Sequence, residues 1–218
     1  MILTGYLLSY AYLFGVILFI GLLQKLFKFD VEISRKMIHF FIGFVWLILH
    51  HYLANTWHFV VVPASFVVIN YLSYRFKIFK MFERKDEKNH LGTVYYAASI
   101  TVMAVVSLFF PETQLPYGVA VFCLSFGDAA AALVGGYVKK GNISLTKNKS
   151  LFGTLAGAAA SMLGIFLFMW IFPMELAIWQ VVLIGLASGA LELVGYGLDN
   201  FSIPFGVMAL TTFFLYGV

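Results

Sequence analysis

Two acidic residues stand inside long apolar runs, where a charge is expensive and by default marks function. Asp128 lies in LSFGDAAAALVGGY, 11 residues before Lys139, so a regular helix would carry it ~16 Å beyond that lysine. Small-residue helix packing accounts for its alanine and glycine neighbours but not for a buried carboxylate. Glu192 stands before Gly195-Tyr196-Gly197-Leu198-Asp199-Asn200, with Pro204 beyond. The glycines and proline mark a helix end, and Glu192 shares a face with Asp199 if the helix persists. Between the two acids lies Lys149-Ser150-Leu151-Phe152-Gly153-Thr154. An ammonium, two hydroxyls and the free N–H groups of a helix start are what phosphate oxygens need, although an N-capped helix with a solvated basic loop has the same residues. A carboxylate cluster of Asp128, Glu192 and Asp199 would offer the hard oxygen ligands that suit Mg²⁺ shared with phosphates. Arg35-Lys36-Met37-Ile38-His39 forms a fourth group, in which both cations share a helical face with His39. A membrane-surface anchor followed by a core histidine reads the same way.

These residues need elements to hold them, and the composition says which. Of the 218 residues, 62% are apolar and 11% charged, and the mean hydropathy is +0.93. Soluble domains run about 45–50% apolar and 25% charged, so lipid must cover part of this surface. Runs long enough to span a bilayer fall at 5–23, 37–53, 57–73, 92–110, 116–138, 152–172, 176–194 and 203–218. The expected fold is therefore all-α and polytopic, with about eight transmembrane helices or seven, and residues 45–73 could instead form a re-entrant pair. The first run lacks a basic leader and a small-residue cleavage site, which fits a retained span. The 218 residues are expected to form one catalytic domain.

All fourteen Lys and Arg lie in three loops, after the first, third and fifth runs. The positive-inside rule makes that side cytoplasmic. It also explains the net charge of +4 without nucleic acid. Within 74–91, Phe76, Phe79 and Phe82 recur among basic residues, as in an amphipathic helix on the membrane surface. Cys123, the single cysteine, allows no intrachain disulfide and reads as a small buried hydrophobe.

In order along the chain come Arg35-Lys36-x-x-His39, Glu83-Arg84, His90-x-Gly92-Thr93, Phe126-Gly127-Asp128-Ala129-x-Ala131, Lys149-Ser150-x-x-Gly153-Thr154, Glu192 and Asp199-Asn200-x-x-x-Pro204. This series, over roughly residues 34–210, resembles the CTP-dependent lipid kinases: dolichol kinase, phytol kinase and the CTP-using diacylglycerol kinase. That group is related to phosphatidate cytidylyltransferase. The resemblance implies transfer of the γ-phosphoryl of CTP to a lipid alcohol with a divalent metal, Mg²⁺. It implies a catalytic role for Asp128, His39 and Lys149, with Asp128, Asp199 and Glu192 at the metal. It puts Arg35, Lys36, Gly127, Lys139, Ser150, Gly153, Thr154 and Asn200 at the nucleotide and its phosphates. His39 and Asp128 are both candidates to accept the hydroxyl proton.

The chain departs from the family pattern at Leu151 and Phe152, which bears on substrate and nucleotide choice more than on phosphoryl chemistry. The implied partners are a polyprenol, phytol or diacylglycerol, a nucleoside triphosphate and membrane lipids, with no nucleic acid. Small-residue helix faces could serve packing within or between chains, so the oligomeric state stays open. The implied place is a multi-pass membrane protein with a cytoplasmic active site, in a prokaryotic cell membrane or in the endoplasmic reticulum or a plastid. A cytidylyltransferase or a small transporter with broken helices would share several of these features. The short Gly-Leu-Asp-Asn segment favours the kinase branch over the former.

Overall fold

A computed structural model describes residues 1–78, 91–138, 141–146, 149–195 and 198–217. Lys139 and the central part of the expected surface helix, 79–90, lie outside the described residues. The described residues are helical, with one isolated antiparallel bridge between Ser144 and Ser150. The protein is an all-α polytopic membrane protein. Five helices are long and apolar enough to cross a membrane: Ile2–Phe27, His58–Phe76, Gly92–Phe109, the composite Pro111–Tyr137 and Leu151–Ile171. Contacts divide the chain into two compact units, Met1–Leu108 and Phe109–Val218.

The first unit holds α1 (Ile2–Phe27), α2 (Val31–Ile42), α3 (Val45–Leu53), α4 (His58–Phe76) and α5, which runs to Phe109 from Gly92. Gly5 lets α1 approach α3 closely, because a Cβ there would lie 2.7 Å from Tyr52 Cβ. Three tyrosines then tie α1 to its neighbours. Tyr6 shares a 2.6 Å hydrogen bond with His58 Nδ1, Tyr10 a 2.8 Å bond with Ser65, and Tyr12 donates to the Phe41 carbonyl. In a lipid setting such interhelical bonds contribute roughly 0.6–2 kcal/mol each.

The expected span 37–53 is interrupted. Phe44 donates to the Phe41 carbonyl, Trp46 to Gly43 and Leu47 to Phe44, so the helix tightens to three-residue bonding around Gly43. Glycine's weak helix propensity gives a reason for the break there. The helix also starts earlier than the apolar run, at Val31, and so takes in Glu32, Arg35 and Lys36.

The second unit begins with a 3₁₀ turn, Pro111–Thr113, then α6 (Gln114–Cys123), a π-helical turn Leu124–Asp128, and α7 (Ala129–Tyr137). The expected continuous span 116–138 is thus three segments, and the irregular one ends on Asp128. Such turns are frequent at functional sites. The rest is α8 (Leu151–Ile171), α9 (Ile178–Val194) and α10 (Asp199–Tyr216). Cys123 is buried and free.

Glycines set the spacing of α7, α8 and α9. A Cβ on Gly153 would lie 2.8 Å from the Ala131 carbonyl, and one on Gly189 3.1 Å from the Thr154 carbonyl. At Gly127 it would strike Ser161 Oγ, which bonds to the Cys123 carbonyl and to Ser188. Gly127→Ala should therefore push Ser161 off both partners. The expected loss is roughly 1–3 kcal/mol, typical of overpacking. It should appear as a lower melting temperature of the detergent-solubilised protein.

Candidate functional site

Lys149 is the centre of the polar cluster in the second unit. Its ammonium donates to Glu192 Oε1 and, at 2.6 Å, to Asp199 Oδ2. Glu192 sits in the last turn of α9 and Asp199 in the first turn of α10, where the helix N-terminus favours a carboxylate. The helix does not persist from Glu192 to Asp199 as the shared-face reading requires. It ends at Val194, and the lysine of a separate loop brings the two acids together. Gly195 leaves room for this, since a Cβ there would lie 2.8 Å from Asp199 Oδ1.

Burial decides which of these charges matter. Glu192 and Asp128 are each 5% exposed, while the side chains of Lys149 and Asp199 keep 20% and 17%. Burial works against the Lys149 ammonium, but the Asp199 and Glu192 carboxylates outweigh it and hold its pKa above the ordinary value. Lys149 therefore stays charged at neutral pH. Asp128 lies near enough to Glu192 for their charges to repel. Glu192 Oε2 is buried without a hydrogen-bond partner among the described residues.

The loop before α8 is exposed but folded back on itself. Leu145 N–H donates to the Lys149 carbonyl and Leu151 N–H to Ile143, around the Ser144–Ser150 bridge. Ser150 is the N-cap of α8 and accepts from Gly153 N–H at 3.3 Å. Phe152 N–H donates to Asn142 Oδ1, and Thr154 N–H to the Ser150 carbonyl. All four N–H groups from Leu151 to Thr154 are thus engaged. This corrects the expectation that free helix-start amides would meet phosphate: the loop satisfies them from within the chain. Gly153 serves close packing against α7. What the turn offers instead is side chains, namely the Lys149 ammonium, the Ser150 hydroxyl and Thr154 Oγ1, which is buried and has no partner among the described residues.

Among the described residues, nine sequence candidates therefore lie in the second unit: Gly127, Asp128, Lys149, Ser150, Gly153, Thr154, Glu192, Asp199 and Asn200. The first unit holds Arg35, Lys36 and His39 on α2, where His39 is 7% exposed with its ring centroid 4.8 Å from that of Tyr96. Asn142 is a residue that the sequence reading missed. Its signal was the Gly141-Asn142 turn pair, read only as part of a polar loop.

Among the described residues no group of three His, Cys, Asp or Glu side chains is gathered tightly enough to hold a metal ion alone. Magnesium is ordinarily held by one or two carboxylates plus substrate phosphates. The partnerless Glu192 Oε2, with Asp128 nearby, fits that smaller requirement.

No protein-family model and no solved structure matches the chain. Two curated proteins do. The phytol kinase of Synechocystis sp. is 29% identical over 203 residues, covering 91% of this chain and 86% of that protein. A probable chloroplastic phytol kinase of Glycine max, phytol kinase 3, is 30% identical over 169 residues, which is 71% of this chain but 52% of that protein. The chain is similar to the phytol kinases, and that similarity supports its membership of their lipid kinase family.

Proposed function

We propose that the protein transfers the γ-phosphoryl group of CTP to the hydroxyl of a long-chain lipid alcohol, phytol first among them, giving a lipid phosphate and CDP. The observation that carries the reading is the buried acid cluster around Lys149, set beside two hydroxyls whose amide neighbours are already satisfied. Phosphoryl transfer needs positioning and charge neutralisation more than covalent chemistry from the protein. Lys149 would exchange a carboxylate for a phosphate oxygen, and Ser150 and Thr154 would donate to neighbouring oxygens. Asp128 and Glu192 would hold Mg²⁺, with Asp199 completing the acidic wall. The ion would offset charge on the phosphates. The lipid hydroxyl would enter laterally between helices, keeping its tail in the bilayer. The cationic loops would face the cytosol, where CTP is found.

The test is label transfer by purified protein in detergent–lipid micelles, using CTP or ATP labelled at the γ-phosphorus and phytol, a polyprenol or diacylglycerol as acceptor. Label should enter phytol from CTP and not in the Asp128→Asn variant. Label from α-labelled CTP in the lipid would mean cytidylyl transfer instead. No label in any lipid, wild type and variant alike, would overturn the reading.

A further inference from the structure

We propose that Asn142 is a positioning residue that turns the Ser150 hydroxyl into an obligate outward donor for phosphate. The inference rests on the kinase reading above and adds to it a residue outside every motif discussed so far. Asn142 uses both ends of its amide. Its oxygen accepts from Phe152 N–H at 3.0 Å, and its nitrogen donates to the Val138 carbonyl at 2.8 Å and to Ser150 Oγ at 3.0 Å. The orientation is not a free choice. A backbone N–H can only donate and a carbonyl can only accept, so those two contacts fix which end of the amide is oxygen.

The nitrogen must then donate to Ser150. Gly153 N–H donates to the same oxygen at 3.3 Å. A hydroxyl has two acceptor positions and one hydrogen, and here both acceptor positions are filled. The remaining hydrogen has no acceptor among the described residues, so it is left for a ligand. The neighbourhood supports a ligand there. Gly135 packs against the hydroxyl, where a Cβ would lie 3.0 Å from Ser150 Oγ. Lys149 is the adjacent residue, and the 95%-buried Glu192 that it contacts carries a partnerless oxygen. With the first-turn amides consumed, donation from this turn to phosphate falls to side chains, and Asn142 decides which way one of them points.

The decisive variant is Asn142→Asp. Its carboxylate still accepts from Phe152 N–H, so that anchor of the loop remains. It can donate neither to Ser150 nor to the Val138 carbonyl, however, and its second oxygen instead captures the Ser150 hydrogen. The full-length protein in nanodiscs should then show a KM for the nucleotide raised about tenfold, with kcat within threefold of wild type. Ser150→Ala should do the same. The double variant should be no worse than Ser150→Ala, because both changes remove one donated hydrogen bond. If the effects multiply instead, the cause is added charge and the proposal fails. A fall in kcat and melting temperature with KM unchanged would mean a structural clamp only, and would also overturn it. Binding of inorganic tripolyphosphate, measured calorimetrically, separates this question from the choice of reaction. It should weaken about tenfold in both single variants even if wild type transfers label from no nucleotide. If wild type fails to bind it, or the variants bind it unchanged, the proposal is overturned.

Discussion

Asp128→Asn should leave the protein folded at least as stably as wild type while lowering lipid phosphorylation on the order of 10³-fold. The two effects have one cause read in opposite directions. Asp128 is 5% exposed and its charge repels that of Glu192. Asparagine keeps the shape and removes the repulsion, so the melting temperature should hold or rise. Under the proposed reading the metal and its phosphates would lose an anionic oxygen, and a thousandfold loss corresponds to about 4 kcal/mol of transition-state stabilisation. Initial rates with phytol and labelled CTP, set beside thermal unfolding in the same detergent, give both numbers. A folded variant with near wild-type rates would remove Asp128 from the chemistry. One that fails to fold would make its role structural.

Lys149→Met should damage both properties together. The substitution leaves Glu192 and Asp199 without their shared counter-ion, and removing one partner of a buried pair strands the other. The residual exposure of Lys149 and Asp199 moderates the penalty to roughly 1–3 kcal/mol, below the 3–5 of a fully buried pair. In a chain of this size that lowers the melting temperature by about 2–4 °C per kcal/mol. Activity should fall at least about a hundredfold, the scale of losing one positioned donor at a developing charge. Adding Glu192→Gln to Lys149→Met should restore most of the stability and none of the activity. Recovery of activity in the double variant would show that Lys149 acts only by neutralising Glu192. Lys149→Arg, which keeps the charge, should retain the stability.

Much of the architecture was legible because a bilayer imposes its own ruler. Runs of about twenty apolar residues between charged loops located α1, α4, α5, α8 and α9 to within a few residues. The acids Asp128 and Glu192 were legible for the same reason, since a charge within such a run stands out. What escaped the sequence was local geometry set by hydrogen bonds. Periodicity does not announce that a π turn carries Asp128, that the tightening near Gly43 splits a span, or that Lys149 bridges Glu192 and Asp199 across the end of α9. Asn142 escaped because the Gly141-Asn142 pair reads only as a turn, while its bonds to Ser150 and Phe152 reach eight and ten residues ahead. The hydroxyls of Ser150 and Thr154 were found by motif, but the saturation of the amides around them shows only in the fold.

That saturation has a consequence for how such an enzyme can change. A backbone N–H is the same donor whatever side chain it carries, so a cradle of amides is nearly indifferent to mutation. Here the donors at the start of α8 are side chains, oriented by another side chain, and each can be deleted, lengthened or re-aimed by a single codon change. Under the proposed reading the phosphate grip would be adjustable one residue at a time, without disturbing the helices that hold it. A lineage built on this arrangement can drift in nucleotide preference while its membrane scaffold stays fixed.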